Sequence, residues 1–120
     1  MSGLKGDDLR QRTKQFALRI IRLYGSLPST VEAGIIGKQF LRSGTSVGAH
    51  YREATRARSP KEFISKMETG IQELEETTYW LELLIESDIV AESRLTDLLK
   101  EADELMRIFV SSVKTTKKRT

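Results

Sequence analysis

The residues best placed for chemistry are four glutamates in two Glu-x-x-Glu pairs, Glu73/Glu76 and Glu101/Glu104, and the chain's one histidine in His50-x-x-Glu53. Side chains three apart on a helix share a face, so each pair would offer two carboxylates to a single partner. A di-metal carboxylate bundle has that chemistry, but it needs Glu-x-x-His from each of two helices and two further glutamates. One histidine, in the reverse order, removes that option. General acid–base work is also a poor fit, because carboxylate pairs at this spacing are common on solvated helices. His50 is expected to pack through hydrogen bonds rather than to catalyse or sense pH. With Arg52 and Glu53, and with Glu73 or Glu76 across the bundle, it is expected to join a buried ionic cluster that fixes register. No phosphate-binding loop, zinc spacing or serine nucleophile elbow occurs. The expectation is no enzyme, no metal and no cofactor.

The elements that must position these groups read as helices throughout. The two prolines, Pro28 and Pro60, both fall at expected boundaries. A first helix is expected over about 8–27, capped by Asp7 or Asp8, with Leu9, Phe16, Ile20, Leu23, Tyr24 and Leu27 inward. Ser29-Thr30-Val31-Glu32 reads as a capping box opening a second helix over 29–58. Its seam is Ile36, Phe40, Ser43, Val47, His50 or Tyr51, Ala54 and Ala57. Ser59-Pro60-Lys61-Glu62 is a second capping box, with proline in the first turn. The third helix, 60–87, turns Phe63, Met67, Gly70, Ile71, Leu74, Thr78, Leu81 and Ile85 inward. The fourth, 93–114, turns in Leu95, Leu98, Leu99, Ala102, Leu105, Met106, Phe109 and Val113. Short connections force antiparallel neighbours, so the expected fold is all-α: one up-down-up-down four-helix-bundle domain over 1–120. The tail 114–120 is expected to fray.

Ser43, Gly44, Thr45, Ser46, Gly48 and Ala49 thin the middle of the second helix. Gly and Thr are poor helix formers, so this run predicts a close approach of another helix. A second stripe on the same helix, Lys38, Arg42, Thr45, Ala49, Arg52 and Arg56, lies nearly opposite the core. It suits packing by another subunit's acidic helix, solvent, or a phosphate backbone, and the residues alone favour them in that order. On the third helix Tyr79, Trp80 and Leu83 project away from the seam, and apolar surface of that kind marks an interface. Thr45, Ala49, Tyr79, Trp80 and Leu83 are therefore the candidate oligomer contacts.

Charge is segregated along the chain. Residues 1–58 carry eleven Lys/Arg against four acids, residues 59–110 five against thirteen, and the last ten residues four bases and no acid, for a net +3. An apolar fraction of 38% with 31% charge is globular in composition. No apolar run approaches a membrane span, and the first residues lack the apolar core of a secretory signal. The absence of cysteine suits a reducing cytoplasm.

Gln39 to Ala54, QFLRSGTSVGAHYREA, resembles the central motif of a family of small bacterial four-helix bundles. That family takes its name from a protein encoded by an intervening sequence in large-subunit ribosomal RNA genes, and is sometimes labelled S23 ribosomal protein. Leu27-Pro28, Phe63 to Met67, Glu73 to Glu82 and Glu101 to Leu105 extend the likeness over nearly the whole chain. His50 departs from the family's usual asparagine, and both side chains donate and accept hydrogen bonds. The resemblance implies antiparallel bundles that assemble as homopentameric rings. It also implies kinship with the accessory protein of diversity-generating retroelements, which binds nucleic acid and a reverse transcriptase. Nucleic-acid binding, to RNA or DNA, thereby rises to first place. Its candidate residues are Arg42, Arg52, Arg56 and Arg58 with the tail cations Lys117, Lys118 and Arg119. The competing reading is a protein-interaction scaffold whose basic ridge is consumed between subunits.

Overall fold

Helix geometry starts from the caps. A computed structural model describes the backbone from Ser2 to Thr120, with side chains from Asp8 onward. Four helices follow one another: α1 Ser2–Gly25, α2 Val31–Thr55, α3 Pro60–Glu86 and α4 Glu92–Lys118. Because α1 begins at Ser2, Asp8 lies within the helix and does not cap it; the Asp7 side chain is outside the described residues. Thr30, not Ser29, caps α2, its hydroxyl accepting from the Ala33 amide. Ser59 caps α3 as expected, accepting from the Glu62 amide at 3.0 Å. The return bond differs from a full capping box: the Glu62 carboxylate accepts from the Arg58 amide. At the end of α3, Asp88 takes φ 61°. The Asp88 amide then bonds the Ile85 carbonyl and the Ile89 amide bonds that of Leu84, a left-handed stop in which Asp stands where glycine is usual.

The helices pack as an antiparallel cycle in which α2 and α3 share the most extensive contact and α1 and α4 the least. The molecule measures 48 × 23 × 19 Å. Phe16, Ile20, Phe40, Met67, Leu74, Leu81, Leu105 and Phe109 are fully buried at its centre. Burying such side chains supplies roughly 1.5–3 kcal/mol each. Several inward positions differ from expectation, among them Leu84, which is fully buried on α3 where Ile85 was expected. Thr77, not Thr78, is the buried threonine of α3, because the Ser43 and Thr77 hydroxyls meet at 2.7 Å across the α2–α3 contact. Thr77 spends its own proton on the Glu73 carbonyl, so Ser43 is the donor between the two. On α1, Thr13 is buried as well and returns its hydroxyl to the Leu9 carbonyl.

The thin stretch of α2 does admit a close neighbour, and that neighbour is α1. A Cβ on Gly44 would stand 2.7 Å from Ile20 Cγ1, and one on Gly48 3.1 Å from Thr13 Oγ1. At Gly44 a methyl would force Ile20 to shift, and at Gly48 it would press Thr13 by a few tenths of an ångström, so glycine here suits the close approach of the two helices. The tail is another correction: α4 continues to Lys118. Thr116 remains half-buried, and the Lys117 ammonium lies 3.5 Å from Glu68 on α3.

Candidate nucleic-acid interface

Each Glu-x-x-Glu pair receives one arginine from a neighbouring helix. Arg42 of α2 reaches both Glu73 and Glu76 of α3. Arg12 of α1 holds Glu101 of α4 through two bonds, 3.0 and 2.7 Å, and Glu104 through a third at 3.0 Å. A guanidinium fork matches two carboxylates on one helix face, which accounts for the spacing without catalysis. The bonds to Glu101, helped by Glu104, raise the Arg12 pKa against the cost of its burial. For Arg42 desolvation opposes the charge, and the fields of Glu73 and Glu76 outweigh it and raise the pKa.

The ionic cluster expected around His50 forms with different members and is partly exposed. The expected hydrogen bonding of the ring also differs: Nδ1 is buried without a hydrogen-bond partner among the described residues. His50 Nε2 lies 3.5 Å from Glu73, and Nδ1 lies 3.6 Å from Glu53. Arg42 and Lys66 complete it in place of Arg52. Lys66 bonds Glu53 at 3.0 Å, and that bond lowers the Glu53 pKa. Arg42 is thus held inside the subunit, apart from the other candidate cations.

Those others lie towards one end of the rod. The antiparallel order brings the start of α1, the end of α2, the start of α3 and the end of α4 to one pole, where Asp8 and Arg119 line the same groove. Arg58, Pro60 and Thr116 line a single surface groove there. Residues 48–72 and 106–120 hold ten Lys/Arg against three acids, whereas residues 73–105, towards the opposite pole on α3 and α4, hold eleven acids against two bases. Arg52 is half-buried, and Arg56, Arg58, Lys118 and Arg119 are exposed. None of these five makes an ion pair among the described residues. Lys117 is shared with Glu68. A local excess of Lys/Arg of this kind, here over Asp8, Glu53, Glu62 and Glu68, is an electrostatic footprint that a phosphate backbone recognises.

The candidate oligomer contacts are more scattered. Ala49 is exposed and Thr45 half-buried on the outer face of α2, the Thr45 hydroxyl bonding back to the Leu41 carbonyl. Trp80 and Leu83 are half-buried, and Trp80 packs on the core. Tyr79 stays 52% exposed and meets the Trp80 ring edge-on at 5.0 Å. Sequence reasoning missed the exposed Val31 and Ile35 on α2 and Leu18 and Ile21 on α1. It also missed Arg12, whose signal was its place on the α1 flank four residues before Phe16.

The comparison with known families now decides the identity of this bundle, because residues 7–111 match one family throughout. The chain belongs to the 23S rRNA-intervening sequence protein family. A crystal structure of a protein of unknown function from the S23 ribosomal protein family of Bacteroides thetaiotaomicron has the same fold. It superposes with TM-score 0.86 at 35% identity, covering 92% of this chain and 98% of that one. Comparison with curated proteins gives no match. This intervening-sequence family is one of unknown function. Among the described residues no helix is long and apolar enough to cross a membrane.

Proposed function

We propose that this member of the family is a non-catalytic, homo-oligomeric, cytoplasmic protein that binds RNA or DNA through its basic pole. What supports the reading is the excess of bases over acids towards the pole where α2 and α4 end, to which Arg52, Arg56, Arg58, Lys118 and Arg119 contribute exposed or half-buried cations. Arg42 drops out of the contact set, because Glu73 and Glu76 already occupy it. Binding of this kind follows phosphates rather than bases, so it is salt-dependent and tolerant of sequence. In an assembly the pole is repeated, and a nucleic acid touching several subunits gains avidity without new contacts.

The test is fluorescence anisotropy of labelled structured RNA and duplex DNA against nuclease-treated protein over a salt series. Five contacts correspond to a log–log slope of roughly −4 to −5. Arg56→Glu combined with Lys118→Glu takes one cation from each helix, and should flatten the slope by about two while weakening all sequences alike. Unchanged affinity in that variant overturns the assignment. The exposed Tyr79 favours the scaffold reading as the second choice, and absence of binding at low salt would put it first.

A further inference from the structure

The acidic half of the molecule carries a groove of about 490 Å3 between α3 and α4. It is lined by Tyr79, Leu99, Ala102 and Met106 together with Thr78 and Asp103, and its α3 side carries Glu75 and Glu82. Both glutamates are exposed and make no ion pair among the described residues. They stand seven residues apart, about 10 Å along the helix, with Tyr79 midway between them.

The diagonally opposite helix is its chemical complement. Residues 9–25 of α1 contain no acid. Their outer ridge exposes Leu18 and Ile21 at 36% and 47%, flanked by the exposed cations Lys14 and Arg22. Lys14 and Arg22 are eight residues apart, about 12 Å, with Leu18 midway. One apolar centre between two like charges on each surface, at matching spacing and with opposite sign, is the pattern of complementary interfaces.

We propose that the α1 ridge of one copy seats in the α3–α4 groove of the next, so that Lys14 and Arg22 meet Glu75 and Glu82 around a Leu18/Ile21–Tyr79 contact. This rests on the assembly half of the reading above and names its surface. Among the described residues no contact joins α1 to α3, so the ridge does not reach Glu75 and Glu82 of its own subunit. The contact is heterologous, because each subunit offers one ridge and one groove, so successive copies join head to tail.

The experiment measures the mass of the nuclease-treated full chain by sedimentation, with no nucleic acid present and at low salt. The wild type should run as a multimer. Glu75→Lys with Glu82→Lys, or Lys14→Glu with Arg22→Glu, should each reduce it to a single chain, with helicity by circular dichroism unchanged. The variant carrying all four substitutions should reassemble, because the reversed charges again oppose each other; general damage to the fold cannot produce that rescue. A multimeric wild type whose reversed variants stay assembled overturns this interface and leaves the assembly reading standing. A wild type that runs as a single chain overturns both, and the groove would then be open to a basic helix from another protein. Salt-dependent RNA or DNA binding is read separately, so its failure is distinguishable from either outcome.

Discussion

Gly44→Ala and Gly34→Ala, compared with each other, test whether the α1–α2 contact depends on the missing side chain. Both glycines lie within α2, so each gains roughly 0.5–1 kcal/mol of helix propensity on becoming alanine. They differ in what the new methyl meets. At Gly34 nothing lies within 4 Å. At Gly44 three atoms of Ile20 lie at 2.7, 3.0 and 3.0 Å, and Ile20 is fully buried, with a β-branched side chain that has few rotamers to retreat into. Overpacking of this kind costs about 1–3 kcal/mol. The propensity gain is common to both variants, so the difference between them isolates the steric cost. Urea denaturation followed by circular dichroism reads it directly. With a slope of roughly 1–3 kcal/mol per molar, the two midpoints should differ by about 1 M with unchanged slopes, Gly34→Ala lying above wild type. Equal midpoints would refute the claim that the close approach at Gly44 favours glycine.

Further outcomes follow from single contacts. Asp88→Gly should stabilise by about 1 kcal/mol, because φ 61° costs an L-residue of that order; a lower thermal midpoint would show that the Asp88 side chain contributes more than its strain costs. Thr77→Val should cost about 1 kcal/mol by leaving the buried Ser43 hydroxyl only the long bond to the Phe40 carbonyl at 3.5 Å, and adding Ser43→Ala should recover part of that loss in a double-mutant cycle. Glu53 should titrate below an ordinary glutamate by NMR and return towards it in Lys66→Met. Its folded pKa is depressed, so its contribution to stability is present above the unfolded value and fades as pH falls through the folded one; a Glu53 titration unmoved by Lys66→Met would refute the pairing.

The helices and their order were legible because periodicity and proline placement agree, and Ser59-Pro60 marked the α2–α3 boundary at its cap. The Gly44 and Gly48 contact was legible as a close approach, but not as one with α1, because propensity says where a helix is thin and not what lies against it. Ser29 and Thr30 can both cap a helix, and the choice between them rests on backbone geometry that a one-residue shift of register leaves open. The tail looked disordered because its composition is polar. What orders it is tertiary: Thr116 stays half-buried and Lys117 reaches Glu68 on another helix. The partner of each Glu-x-x-Glu pair was hidden for the same reason, since helix rotation decides whether Arg42 or Arg52 faces α3.

That rotation determines which positive charges remain available. Along the chain the first half is basic and the second acidic, a pattern that alone could mean the two halves simply neutralise each other. The fold neutralises them selectively. Arg12 and Arg42, from the middle of the rod, are drawn into the acidic pairs of α4 and α3, while the cations at the end of α2 have few carboxylates within reach. The continuous α4 then carries Lys118 and Arg119 to that same end, adding charge where compensation is weakest. A net charge of +3 understates this pole, because the acids that offset it are gathered towards the other end. Screening confines each exposed charge to about 8–10 Å at physiological ionic strength, well short of the 48 Å rod. A phosphate backbone at the basic pole would therefore meet the local positive charge with little opposition from the acidic one.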